Sequence, residues 1–145
     1  MTPHSNTRIL ESRGDDVERL RVFVAESNAA DLFWLEMVFK GSRLPYTIEV
    51  VEDGPAAKQY LEEHAASNPP DLIFLDAFEM LQDVPATEQG PFFILTNSMS
   101  LAEKEEFPRS FGDVSRHYIE KPFTHQKLVD CLNVADLNSW AARLS

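Results

Sequence analysis

Short apolar runs, each closed by a polar or charged residue, constrain this chain more than any other feature. They are "LRVFVA" (20–25), "YTIEVV" (46–51), "DLIFLD" (71–76), "FFILT" (92–96) and "RHYIE" (116–120). Runs of this length, rich in β-branched and aromatic residues, read as strands. "DLIFLD" has no polar position between its two acids. A strand with one wet face alternates apolar and polar residues, whereas an unbroken apolar strand is covered on both faces, as in a parallel sheet.

Stretches with helical spacing separate the runs. Asn28 can cap a helix through Asp31, Leu32, Leu35, Met37, Val38 and Phe39, with Gly41 expected to end it. Phe33 and Trp34 widen its apolar face beyond one stripe, so one of them is expected at a contact. "EDGPAAKQYLEEHAA" starts a second helix with Pro55 in its first turn and an inward stripe of Ala57, Tyr60, Leu61 and Ala65. Ser100 and Glu103 have capping-box spacing for a short helix that Pro108 interrupts. Thr124 caps a final helix with the stripe Leu128, Cys131, Leu132, Ala135, which Leu137, Trp140, Ala141 and Leu144 continue. Residues 77–91, "AFEMLQDVPATEQGP", are the exception. Pro85, Gly90 and Pro91 punctuate them, so a shortened or irregular third helix is expected.

Strands alternating with helices predict an α/β fold with an open parallel sheet covered on both faces. The 145 residues suit one domain, placed at 19–145, with 1–18 as a polar tail or extension that Ile9 and Leu10 can dock. No apolar run spans a bilayer and the N-terminus lacks a continuous apolar segment, so neither membrane insertion nor a signal peptide is expected. The single cysteine, Cys131, excludes an internal disulfide, fits a reducing cytoplasm and reads as a core residue. A net charge of −11 repels phosphate backbones and argues against nucleic acid as a partner. The histidines show no ligand spacing.

Parallel sheets bind their ligands beyond the carboxyl ends of the strands. In this sequence those ends carry Glu26 and Ser27, Asp76, Thr96 and Lys121. A carboxylate, a hydroxyl and an ammonium on one rim suit phosphoryl transfer. The carboxylate can attack, and the other two can hold phosphoryl oxygens. A hard cation on nearby carboxylates can neutralise the remaining charge.

These residues also carry a resemblance. "VAESN" resembles the V-[ED]-D-N acidic corner of response regulator receiver domains, "DLIFLD" their PDLILLD strand, and "ILTNS" their LT[TA]S strand. "YIEKPF" resembles Y-[LI]-x-KP[FV], and "EDGPAAKQYL" resembles DGxEALxxL. The match covers about 20–137, in order and at the right spacing. "NAAD" opening the first helix, and a tryptophan in the last, are similar to small stand-alone receivers paired with phytochrome-type kinases.

The resemblance implies a flavodoxin-like doubly wound sheet of five parallel strands in the order 2-1-3-4-5. It implies Asp76 as phosphoacceptor, Thr96 and Lys121 as phosphoryl-binding residues, and Tyr118 as the aromatic that switches with Thr96. It implies Mg²⁺ held by Glu26, Asp76 and the backbone carbonyl of Phe78. Here the sequence departs from the family: Ser27 stands where the family has the acid that ligates Mg²⁺ directly, so the metal site is expected to be weakened. Glu79 is near enough in sequence to restore a charge. The implied function is signalling in a phosphorelay, with a histidine kinase or another signalling protein as partner and no enzymatic activity beyond assisting its own phosphorylation. The alternative is a pseudo-receiver, an interaction module independent of phosphorylation. A flavin or nucleotide binder is disfavoured because the first strand-helix turn has no Gly-rich phosphate loop. No effector region is expected beyond the receiver-like domain, so output is expected from a partner or from a homodimer, with Leu137, Trp140 and Leu144 as its candidate surface.

Overall fold

The computed structural model describes residues 8–12, 18–64, 70–75, 92–96, 116–120, 122–134 and 137–144, with backbone alone at 92–96, 116–118, 120 and 134. Strands β1 (Arg8–Glu11), β2 (Leu20–Ala25), β3 (Tyr46–Val51), β4 (Leu72–Leu75), β5 (Phe92–Thr96) and β6 (Arg116–Glu120) form one sheet, in the order β1-β3-β2-β4-β5-β6. The described helices are α1 (Ala29–Ser42), α2 (Gly54–His64), α3 (His125–Val134) and α4 (Asn138–Ala142). β2 to β6 run parallel to their neighbours, and β1 is antiparallel to β3. The expected five-stranded parallel sheet is therefore corrected to a six-stranded mixed one. The segments 77–91 and 100–108, with their expected helices, lie outside the described residues.

Alternation along the central strands sorts the core into two layers. Leu20, Val22, Val24, Leu72 and Phe74 face α1, α3 and α4. Phe23, Ala25, Ile73 and Leu75 face α2. Both faces of β2 and β4 are covered, which is why their sequences lack a polar rhythm. On β3 the alternation shows: Tyr46, Ile48 and Val50 are buried, and Thr47 and Glu49 half-buried between them. Glu49 is matched locally. Tyr60 Oη donates to its Oε1 at 2.5 Å, and Arg21 Nη2 lies 3.5 Å from the same oxygen. Asp71 sets the register of β4 on β2: its Oδ2 accepts from Arg21 N at 2.9 Å and its N–H donates to Arg21 O at 2.8 Å.

β1 comes from the segment read as a tail or extension. It pairs from Arg8 opposite Val50 to Glu11 opposite Thr47. Leu10 packs on the core while Ile9 is 61% exposed, as expected for opposite faces of an edge strand. Ser12 ends the strand by exchanging bonds with Tyr46: its N–H donates to Tyr46 O at 3.0 Å and its Oγ accepts from Tyr46 N at 2.9 Å.

α1 starts where expected, with Asn28 Oδ1 accepting from Asp31 N at 3.0 Å. It does not stop at Gly41. The helix runs to Ser42, and Arg43 takes the left-handed conformation (φ 66°) that was expected of the glycine. Ser42 Oγ donates to Phe39 O at 2.6 Å and accepts from Leu44 N at 3.1 Å. This satisfies a carbonyl of the last turn and the N–H just past the helix end, and Leu44 is buried there. α2 is capped by Asp53, whose Oδ1 accepts from Ala56 N at 2.9 Å. α3 is capped by Thr124, whose Oγ1 accepts from Lys127 N at 3.2 Å.

The C-terminal stretch packs on its own chain. Trp140 is only 8% exposed, and Leu137, Ala141 and Leu144 pack with it against the α1–α3 side of the core. Leu137 N donates back to Leu132 O at 2.8 Å, which turns α4 onto α3. The apolar stripe named as a dimer surface is used by its own chain.

Tyr46 links β3 to α1 by donating its phenol proton to Glu36 Oε2 at 3.1 Å. Burial first, then the Glu36 charge and hydrogen bond, push this phenol up from 10.0 to about 12. The neutral, protonated phenol is thus favoured in the folded state. Its contribution is complete below pH 10 and is lost as pH rises through about 12. Tyr60 is shifted the same way, by burial first and then by its Glu49 hydrogen bond. Tyr46→Phe is expected to lose stability less steeply than the parent across this window, read by urea unfolding at a series of pH values. Parallel curves would show that Tyr46 titrates alike in the folded and unfolded chain.

Candidate functional site

The strand registers bring the carboxyl ends of the parallel strands to one rim. Ala25 lies beside Val51 on one side and Leu75 on the other. Leu75 lies beside Ile94, Ile94 beside Tyr118, and Thr96 beside Glu120. Glu26 leaves β2 at this rim and is 4% exposed.

A buried carboxylate needs partners to offset its lost hydration. Glu26 Oε2 accepts from Asn28 N at 3.1 Å, while the Glu26 N–H donates to Val51 O at 2.9 Å. The backbone is therefore held on both sides of the carboxylate, and Asn28 serves twice: its N–H holds Glu26 and its side chain starts α1. Ser27, between them, is exposed. The two corner residues are thus divided, with Glu26 buried and Ser27 in solvent.

Of the other site residues read from sequence, Thr96 and Tyr118 are placed by backbone, at the end of β5 and in the middle of β6. Asp76, Phe78, Glu79 and Lys121 lie outside the described residues. Among the described residues no group of three or more His, Cys, Asp or Glu side chains comes together as a metal site. The oxygen donors that follow β2 at the rim are the Glu26 carboxylate and the Ser27 hydroxyl. Both are the hard donor type that Mg²⁺ takes, but they supply only part of an octahedral set, and one Glu26 oxygen already accepts the Asn28 N–H.

One contact near the rim was not legible in the sequence. Trp34 Nε1 donates to Phe123 O at 2.6 Å, across 89 residues. The Phe123 ring is buried between Phe39, at a centroid distance of 6.3 Å, and Phe74, at 5.4 Å. Pro122 O accepts from Lys127 Nζ at 3.1 Å. The segment after β6 is thus tied to α1, to the core and to α3. Trp34 keeps 51% of its surface exposed and Phe33 62%, so both widen the outer apolar face that the helical spacing predicted.

No protein-family model matches this chain. No curated protein matches it either. Solved structures do. A two-component response regulator from Cytophaga hutchinsonii superposes with a TM-score of 0.67 at 19% identity, over 83% of this chain and 99% of that one. The phosphorylated cyanobacterial phytochrome response regulator RcpA gives 0.59 at 22% identity, over 86% and 95%. The receiver domain of a sensor histidine kinase from Pseudomonas aeruginosa PAO1, which holds a magnesium ion in its active-site cleft, gives 0.60 at 20% identity, over 86% and 99%. With strands β2 to β6 parallel, helices on both faces and Glu26 at the carboxyl rim, this chain has the flavodoxin-like α/β fold of response regulator receiver domains, extended by one antiparallel edge strand.

Proposed function

We propose that this protein is a receiver in a phosphorelay, taking a phosphoryl group onto Asp76 and signalling by protein-protein contact. The observation that carries this reading is the buried Glu26 carboxylate at the end of a central parallel strand, at the rim where the backbones of Thr96 and Glu120 also end their strands. By chain order Asp76 follows β4 and Lys121 follows β6. In this reading Asp76 is the nucleophile, Thr96 binds a phosphoryl oxygen, and Lys121 pairs with the phosphoryl charge. Tyr118 responds to Thr96. Mg²⁺, when bound, neutralises charge on the phosphoryl oxygens, with Glu26, Asp76 and the Phe78 carbonyl as its holders. The donor is a histidine kinase or a related signalling protein.

Beyond this self-assisted transfer the protein is no enzyme. A single buried thiol, Cys131, fits a reducing cytoplasm. Among the described residues no helix is long and apolar enough to cross a membrane.

Incubation with Mg²⁺ and a small phosphodonor, followed by intact mass, tests the reading. A phosphate adduct is expected in the parent and none in Asp76→Asn. An adduct of equal yield in both would place the chemistry elsewhere.

A second reading, a pseudo-receiver that binds partners without phosphorylation, is favoured by the exposed hydroxyl of Ser27 in place of an acid. It predicts no adduct in the parent at any Mg²⁺ concentration.

A further inference from the structure

A cleft of about 490 Å³ opens at the amino end of β3, where β1 runs past the carboxyl end of α1. Glu11 and Ser12, from β1 and the residue after it, line one side, so the cleft depends on the added strand. It lies at the opposite end of the strands from Glu26, and neither its ligand nor its test depends on phosphoryl transfer.

Four charges line it: Glu11 and Glu36, Lys40 and Arg43. None of the four forms an ion pair with another. Each carboxylate has one oxygen engaged by a neutral hydroxyl. Thr47 Oγ1 donates to Glu11 Oε2 at 3.3 Å, and Tyr46 Oη donates to Glu36 Oε2 at 3.1 Å. The Lys40 and Arg43 side chains have no hydrogen bond or ion pair among the described residues. The frame of strand and helix therefore presents both signs of charge in one cleft without letting them neutralise each other.

The backbone at Arg43 shapes the cleft. Arg43 is the non-glycine residue with positive φ among those described, at 66°. That position at a helix end is usually glycine, because a Cβ crowds the following carbonyl. The Ser42 hydroxyl holds this helix end by bonding Phe39 O and Leu44 N, and the end sets Arg43 among the residues lining the cleft.

The ligand class follows from the charges. A simple anion would meet Glu11, Glu36 and a chain of net charge −11. A simple cation would meet Lys40 and Arg43. A molecule with both charges meets a partner for each, and Leu44 and Pro45 add an apolar contact. The volume lies in the range of small-ligand sites. We propose that the cleft binds a small zwitterion of the amino-acid type, its carboxylate toward Lys40 and Arg43 and its ammonium toward Glu11 and Glu36. Because Glu11 belongs to β1, the bound ligand would hold that strand on the sheet.

Thermal unfolding of the full chain with L-leucine, N-acetyl-L-leucine and L-leucinamide at matched ionic strength tests this. L-leucine is expected to raise the midpoint saturably in the millimolar range, and the two singly charged forms much less. Arg43→Gly separates binding from folding. It is expected to raise the midpoint of the free protein, since glycine takes the left-handed conformation without strain, and to abolish the response to leucine. Lys58→Met, at an exposed lysine on α2, is expected to keep that response. No response in the parent, equal responses to all three compounds, or a parental response in Arg43→Gly would each overturn the proposal.

Discussion

Replacing Trp140 with alanine is expected to cost about 3–5 kcal/mol of folding stability, the range for emptying a large aromatic site in a core. The indole is 8% exposed and sits among Leu137, Ala141 and Leu144 against the α1–α3 layer, with the Arg143 guanidinium 4.8 Å from its ring. A domain of this size has a total stability of about 5–15 kcal/mol, so the loss is a large part of it. Urea unfolding should show a lower midpoint with an unchanged slope. Mass in solution should match the parent's. The reverse pattern, an unchanged midpoint and a smaller assembly, would mean that Trp140 belongs to an interface between copies.

Ser27→Asp is expected to tighten Mg²⁺ binding by about a hundredfold. The residue leaves the end of β2 next to the buried Glu26 and is itself exposed, so an added carboxylate suffers little desolvation. At 4 Å and an effective dielectric near 20, a unit charge and a divalent ion attract by about 8 kcal/mol. Repulsion between the new carboxylate and Glu26 offsets much of this. A net gain of about 3 kcal/mol is about two decades in affinity. Titration calorimetry reads it directly. If the affinity stays put, the rim at β2 does not hold the ion. If it rises and the phosphodonor adduct appears only in the variant, the parent acts as a pseudo-receiver.

The elements with local causes were legible in the sequence. The unbroken apolar run of β4 announced two covered faces, and both are covered. Asn28 and Thr124 announced helix starts because a cap is a contact between a side chain and a backbone N–H three residues away. Gly41 failed as a stop. Glycine permits a left-handed end but does not compel one, and the Ser42 hydroxyl drew the end to Arg43. At the candidate site, the sequence placed Glu26 and Ser27 after the end of β2, where the structure has them. That Glu26 is buried while Ser27 is exposed was not legible, because burial depends on what packs above the rim.

By itself the sequence determined the α/β alternation, the covered central strands and the helix stripes. These are properties of a few neighbouring residues and of the periods 2.0 and 3.6. The tertiary structure decided what pairs with what at long range. It placed "RILE" on the edge of β3, from Arg8 opposite Val50 onward, although no feature of those four residues names a partner. It turned Leu137, Trp140 and Leu144 inward, where an amphipathic stripe alone fits a dimer equally well. It brought Trp34 to the Phe123 carbonyl and set the four charges of the β1 cleft around one space. Each of these outcomes depends on which distant surface is nearest once the sheet has formed, and the residues' spacing along the chain carries no record of it.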